Sequence, residues 1–251
     1  MTLEQFFAKN REVAVAFSGG VDSAYLLYAA KRYAARVKAY YVSTAFQPAF
    51  ELADARRLAD EVGADMLVLH VDVLSNSAVT ANPSDRCYHC KNTLFRQILR
   101  AAENDGFPVL LDGTNASDDA GDRPGMRALQ ELEVRSPLRE CGLTKEEVRR
   151  LSREAGLFTW DKPAYACLAT RIPTGTPIQA RDLERVERAE AALAALGFRD
   201  FRVRLFHGAA RVQATAAQLP LALERREDLT VALRSDFSDI LLDLAPRAPS
   251  A

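Results

Sequence analysis

Two serines, two glycines and an aspartate fall within six consecutive positions, Ser18-Gly19-Gly20-Val21-Asp22-Ser23. Glycine lets a backbone come close to a ligand with no Cβ in the way. If a helix starts here, its first-turn N–H groups and the positive end of its dipole make an anion site. Ser18 and Ser23 add hydroxyl donors, and Asp22 is a carboxylate able to hold a magnesium ion beside a bound phosphate. The chemistry this implies is the cradling of a polyphosphate. Cys87 and Cys90 stand in Cys-x2-Cys spacing, and Cys167 lies far downstream with Arg171 four residues later. A guanidinium so close in sequence can stabilise a thiolate and a substrate anion together.

The elements needed to position these residues can be read from periodicity. The apolar run from Val13 to Phe17 predicts a buried strand, and the pattern from Asp22 through Leu26 and Leu27 predicts a helix. Val37–Val42, Met66–Val71 and Val109–Leu111 predict three more strands. A helix stopped by Gly63 and a second over Cys87–Ala102 separate them. Strand–helix alternation of this kind predicts an α/β fold, a parallel sheet with helices on both faces and ligands at the carboxyl ends of the strands. Ser18, Ser43 and Asp112-Gly113-Thr114-Asn115 all follow predicted strands, so one pocket can gather all three. Thr144 with Glu147 has the spacing of a capping box, opening a helix that ends at Gly156. From Trp160 to Pro177 the composition shifts to Pro, Gly, Thr and Arg, the mark of a functional loop. Beyond it the patterns predict a helix over Asp182–Leu196, a hairpin turning at His207-Gly208, a helical stretch over Leu219–Leu233, a strand over Ile240–Leu244 and a frayed tail. The expected organisation is a nucleotide domain over residues 1–160, an active-site loop and linker over 161–180, and a small α+β domain over 181–251.

The 251 residues are 48% hydrophobic, enough for one large or two modest cores. With 33 Lys and Arg against 34 Asp and Glu, the net charge of −1 gives no reason to expect nucleic acid or an anionic membrane as partner. The N-terminus lacks a signal-peptide layout and no apolar run is long enough to span a bilayer, so the expected location is the cytoplasm. Four cysteines there argue for metal or redox chemistry, or plain packing, over structural disulfides.

The Gly-x4-Gly-Lys-Ser/Thr phosphate loop is absent. SGGVDS instead resembles the pyrophosphate loop of the ATP pyrophosphatases (the PP-loop superfamily), which split ATP into AMP and pyrophosphate. Three further stretches narrow the resemblance: Pro83-Ser84-Asp85-Arg86-Cys87-Tyr88-His89-Cys90-Lys91, Leu111–Asp119 running on through Arg123-Pro124-Gly125 to Val134–Leu138, and Lys162–Thr176. With Arg202-Val203-Arg204 ahead of His207, the chain is similar to the LarE family from about Val13 to Ala214. These are ATP-dependent sulfur transferases that help make the nickel-pincer nucleotide cofactor of lactate racemase-type enzymes.

The resemblance implies that ATP, with Mg2+, adenylates a carboxylate of pyridinium-3,5-biscarboxylic acid mononucleotide, and that sulfur then displaces AMP to leave a thiocarboxylate. On that reading Ser18, Gly19, Gly20, Asp22 and Ser23 match the phosphate cradle. Ser43, Gly113 and Thr114 are candidates for adenosine, and Asn115 and Asp119 for phosphate or metal. Cys167, Asp22 and Arg171 are the expected catalytic residues. Arg202 and Arg204, alternate residues on one face of a strand, match the site of the substrate phosphate. The family has two sulfur sources. In one branch the cysteine matching Cys167 gives up its own sulfur and becomes dehydroalanine. In the other, three cysteines hold a 4Fe–4S cluster, and Cys87, Cys90 and Cys167 match that pattern, which leaves one iron open. The cluster is the preferred expectation, because sacrifice of Cys167 alone leaves Cys87 and Cys90 without a role. The resemblance also suggests a homo-oligomer, a hexamer being one form.

Alternatives stand beside this reading. The superfamily includes tRNA 2-thiolation enzymes, against which the near-neutral charge argues, and a non-catalytic nucleotide sensor could use the same loop. Zinc held with Cys141 or His89 is a plainer metal reading. Cys141 reads as a small packed side chain, His70 as a polar strand end, Trp160 as a packing anchor or a pocket wall, and Asp182–Arg188 as a solvated helix face with supporting charge pairs. One departure stands out: where the family carries an acid after Ala-Arg-Ile, this chain has Ala210-Arg211-Val212-Gln213.

Overall fold

The structure is a computed structural model that describes residues 1–118 and 124–248. The chain divides into two compact units, Met1–Val73 with Asp85–Lys162, and Leu74–Ser84 with the chain from Pro163 onward.

The first unit is an α/β fold. Helix α1 (Leu3–Lys9), capped by a Thr2/Gln5 capping box, leads into β1 (Glu12–Ala16), α2 (Val21–Tyr33), β2 (Arg36–Ser43), α3 (Ala49–Glu61) and β3 (Asp65–His70). The short α4 (Ser77–Thr80) belongs to the other unit; α5 (Arg86–Asn104) returns the chain to β4 (Leu110–Leu111). Helices α6 (Pro124–Glu131), α7 (Pro137–Glu140) and α8 (Lys145–Glu154) follow. The sheet order is β3-β2-β1-β4, all pairs parallel. Strand alternation sorts the core into two layers. Val13, Val15 and Tyr41 pack with α1, α2 and α3, while Ala14 and Tyr40 pack with Ile98 and Ala102 of α5. Helices therefore cover both faces, as the alternating pattern predicts. Chain order runs β1, β2, β3 in one direction and then crosses to β4 on the far side of β1. That reversal makes the carboxyl ends of β1 and β4 a topological switch point, where open α/β sheets bind ligands.

The second unit centres on a sheet ordered β5-β6-β7, formed by β5 (Arg202–Phe206), β6 (Ala209–Gln213) and β7 (Ile240–Leu242). Helices α9 (Ala180–Ala195), α10 (Leu219–Glu224) and α11 (Arg226–Leu233) complete it. The β5–β6 hairpin turns at His207 and Gly208, both at positive φ, +50° and +87°. A pair of left-handed residues matches the twist of the flanking strands. The predicted stretch over 219–233 is two helices broken at Arg225, whose φ and ψ are −94° and 19°.

Segment 74–84 lies inside the expected first domain, yet its hydrogen bonds are with the later residues. Asn82, fully buried, donates from Nδ2 to the carbonyls of Pro173 (2.8 Å) and Thr176 (3.0 Å), and its own carbonyl accepts from Gly175 N–H (2.8 Å). Two other expectations change. The face over Asp182–Arg188 is solvated only in part: Glu184 and Arg188 are exposed and Asp182 pairs with Arg185, but Asp182 is buried, Arg185 donates to the Asp236 carbonyl and Arg188 pairs with the Asp236 carboxylate. The tail is held through Arg247, which pairs with Asp200 and bridges to Thr215; residues 249–251 of that expectation lie outside the described residues. Among the described residues no helix is long and apolar enough to cross a membrane.

Candidate active site

In the first unit the turn after β1 closes on itself. Ser23 Oγ accepts from Ser18 N–H (3.2 Å) and lies 3.0 Å from Ser18 Oγ, which in turn accepts from Gly20 N–H (3.4 Å). Gly19 has a φ of +73°, and a Cβ there would sit 3.2 Å from the Cβ of Ala55 on α3. No side chain caps α2 at Gly20, the condition under which a helix N-terminus can take an anion. The stretch after β4 presses against that helix end. A Cβ on Gly113 would lie 2.8 Å from the backbone nitrogen of Ser23, closer than real contacts allow.

Asp22 is held from two sides. Asn115 Nδ2 donates to its Oδ1 (3.1 Å), and Lys145 Nζ to its Oδ2 (2.6 Å). Asn115 is buried and fixed by its neighbours: its N–H donates to Asp118 Oδ2 and its Oδ1 accepts from Ser117 N–H. Thr114 Oγ1 and Ser136 Oγ both donate to the Asp112 carboxylate. Lys145 begins α8, where the predicted Thr144/Glu147 capping box is present. The backbone N–H of Thr144 and then its hydroxyl hold the Glu147 carboxyl below its ordinary range. Lys162 Nζ lies 2.6 Å from Asp54 Oδ2, next to the Ala55 that touches Gly19. Ser43 ends β2, pairing with His70 at the end of β3, so the carboxyl ends of β2, β1 and β4 carry Ser43, Ser18 and Gly113–Asn115 side by side. Asp119 lies outside the described residues. Asp22, a single carboxylate, fits the way magnesium is bound through one or two carboxylates plus substrate phosphates.

Cys87 and Cys90 occupy the first turn and a half of α5, Cys87 exposed and Cys90 half-buried. Their spacing of three puts them on one helix face. Cys141 is half-buried at the end of α7 against the core, and burial pushes its thiol up. None of the four cysteines is in a disulfide. Among the described residues no group of three or more His, Cys, Asp or Glu side chains is arranged to hold a metal ion. Trp160 is partly exposed, with the Arg153 guanidinium 4.9 Å from its ring centroid.

In the second unit Cys167 precedes a single 3-10 turn, Leu168–Arg171. Its carbonyl accepts from the N–H and Oγ1 of Thr170 (2.9 and 2.8 Å). Arg171 is 1% exposed and makes a fork with Glu190 of α9: Nε to Oε1 at 2.8 Å and Nη2 to Oε2 at 2.9 Å. Its Nη1 donates to the Ala166 carbonyl (2.8 Å) and Thr170 Oγ1 (2.8 Å). Glu190 also accepts from Val203 N–H (2.9 Å) and from the Tyr165 hydroxyl. In this conformation Arg171 orders the loop that carries Cys167, and its donors are engaged within the protein. Arg202 is buried and donates to the carbonyls of Phe201 (2.6 Å) and Ala164 (2.7 Å). Arg204, more exposed, donates to Gln213 Oε1 (2.7 Å) and the Thr170 carbonyl. Among the described residues neither is ion-paired with a carboxylate. Burial, and then the charge of Arg171, lowers both guanidinium pKa values from the ordinary one.

Lys145, Glu190 and Lys162 complete these groups, and the sequence alone does not single out the first two. Lys145 lies 123 residues from Asp22, and Glu190 is one of several acids on a charge-rich helix. A capping box beside Lys145 marks a helix start, not a partner for a distant carboxylate.

Comparison with known proteins identifies the family. The asparagine synthase family model matches residues 4–119, the stretch that holds the cradle. An uncharacterised protein of Synechocystis is 38% identical over 86% of this chain and 81% of its own. The pyridinium-3,5-bisthiocarboxylic acid mononucleotide synthase of Lactiplantibacillus plantarum is 33% identical over 93% of this chain and 86% of its own. A tRNA-specific 2-thiouridylase of Thermotoga petrophila is more distant, 26% identical over 60% of this chain and 54% of its own. With the synthase matched over most of both chains, the chain belongs to the LarE family of ATP-dependent sulfur transferases.

Proposed function

We propose that this protein adenylates a carboxylate of pyridinium-3,5-biscarboxylic acid mononucleotide and converts it to a thiocarboxylate for nickel-pincer cofactor synthesis. The observation that carries the reading is the uncapped α2 terminus, with Asp22 held by Lys145 and Asn115, in a chain matched over 93% of its length by the pyridinium synthase. The amides of the loop and the Ser18 and Ser23 hydroxyls bind the ATP phosphates. Asp22 would hold Mg2+, which supplies charge neutralisation on the leaving pyrophosphate. Lys145, beside Asp22, is placed to pair with a phosphate oxygen of the nucleotide. Ser43, Gly113 and Thr114 take the adenosine, Asn115 and Asp119 assist the phosphates or the metal, and Arg202 and Arg204 take the phosphate of the substrate.

For the sulfur, Cys87, Cys90 and Cys167 are proposed as the three ligands of a 4Fe–4S cluster. A second source is Cys167 itself. Its thiolate attacks the acyl adenylate, forming an S–C bond as AMP leaves with the C–O electron pair. Loss of the Cys167 α-proton then breaks the Cβ–S bond, with the electron pair staying on sulfur as the thiocarboxylate and residue 167 left as dehydroalanine. The nucleotide is proposed as the small-molecule substrate of a cytoplasmic homo-oligomer with no nucleic-acid or membrane partner. Pyrophosphate release from ATP and magnesium is expected with the pyridinium nucleotide and not with bulk tRNA; release with tRNA alone would replace this reading by tRNA thiolation. After one turnover, loss of the mass of hydrogen sulfide at Cys167 identifies sacrifice. An unchanged mass, in protein that turns brown on anaerobic reconstitution and stays colourless as Cys87→Ala, identifies the cluster.

A further inference from the structure

One face of the β5–β6–β7 sheet carries an unusual charge arrangement. Arg202 lies opposite Gln213 in the β5–β6 register, and Arg204 opposite Arg211. Just past β7, Asp243 is the carboxylate bonded to this row. It accepts from Arg211 Nη2 (2.5 Å) and from Gln213 Nε2 (2.7 Å). The Gln213 bond first, and Arg211 after it, hold the Asp243 carboxyl below its ordinary range. The other end of the same amide, Gln213 Oε1, accepts from Arg204 Nε at 2.7 Å. An amide carries no charge, yet meets a pure donor through its oxygen and a pure acceptor through its nitrogen. A glutamate at 213 would face Asp243 with two carboxylate oxygens in contact, and would neutralise Arg204.

We propose that Gln213 is a specificity-determining residue. It confines the negative charge of Asp243 to Arg211 and holds Arg204 through a neutral oxygen, which leaves the charges of Arg204 and Arg202 available to a doubly charged phosphate. This rests on the reading of Arg202 and Arg204 as the substrate-phosphate site and adds the residue that sets its charge. The departure at Gln213 noted in the sequence thereby has a physical reason, since the carboxylate beside it requires a neutral side chain.

The test moves the charge without changing its amount. In the full-length double variant Gln213→Glu/Asp243→Asn the two side chains keep their sizes, and the carboxylate passes from Arg211 to Arg204. Inorganic phosphate is the probe, titrated calorimetrically at a pH where it is mainly dianionic. The swap is expected to weaken phosphate binding about tenfold, as one displaced charge at a partly exposed site implies. Arg204→Ala should cost about tenfold in the unaltered chain and little in the swap. Equal phosphate affinity in the two, with Arg204→Ala equally damaging in both, would overturn the role of Gln213. If the swap does not fold, Gln213→Glu alone decides: it sets a carboxylate beside Arg204 and should weaken phosphate binding about tenfold, whereas an unchanged affinity would overturn the proposal. Failure of the unaltered chain to bind phosphate, with Arg202→Ala also without effect, would remove the phosphate site itself and this inference with it.

Discussion

Alanine at position 113 would carry its methyl carbon to 2.8 Å from Ser23 N, 3.1 Å from Ser23 Cα and 3.2 Å from the carbonyl carbon of Asp22. All three are backbone atoms of the helix turn that forms the cradle, so no flexible side chain can give way. Ordinary contact begins at 3.4 Å, so the two segments must part by about 0.6 Å, the difference between 3.4 and 2.8. Overpacking of this kind costs ~1–3 kcal/mol. At ~2 kcal/mol, a chain of this size loses about 4–8 °C in Tm. The same displacement shifts the amides of α2 off their ligand, and a loss of 1.4 kcal/mol there is about tenfold in ATP affinity. Differential scanning calorimetry and ATP titration of Gly113→Ala measure both effects. Gly20→Ala is the matched control, because its Cβ would meet only Ser18 Oγ at 3.5 Å and its φ of −79° suits any residue. Its Tm should stay within about 2 °C of the parent, a fraction of a kcal/mol. A Gly113→Ala protein with the parent's Tm and ATP affinity would refute the claim that the close approach of these segments builds the cradle.

Two further outcomes are expected. Lys145→Ala leaves Asp22 with Asn115 alone, and should raise the KM for ATP about tenfold or more with little change in Tm; an unchanged KM would remove Lys145 from phosphate binding. Because burial raises the Cys141 thiol, its thiolate fraction at a given pH is smaller than that of an ordinary thiol and grows only as the pH rises further. Limiting iodoacetamide near pH 8 should therefore label exposed Cys87 before Cys141, as read by peptide mass spectrometry, with the gap narrowing at higher pH.

The parts of this fold legible in the sequence are those fixed by neighbours. Val13–Phe17 followed by two glycines and an amphipathic run can hardly be other than strand, turn and helix. His207-Gly208 between alternating strands marks its hairpin just as locally. The capping box at Thr144 and Glu147 is confined to four residues and forms as read. What escaped depends on distant partners. Lys145 looks like any first residue of a helix until α8 is packed beside α2. Glu190 reads as one acid among many until Arg171 reaches it. The 74–84 segment has no pattern that assigns it to residues beyond 163.

Asn82 carries a consequence for biogenesis. Its side-chain partners, Pro173 and Thr176, lie 91 and 94 residues later. At synthesis rates of ~5–20 residues per second, the ribosome adds those carbonyls about 5–20 s after Asn82 is made. The strip from Leu74 to Ser84 must therefore wait without its native partners while the α/β unit that flanks it in the chain is being completed. A fragment begun at Pro163 would lack that strip altogether, so a shortened gene encoding the later unit needs residues 74–84 grafted back before it can yield a stable product.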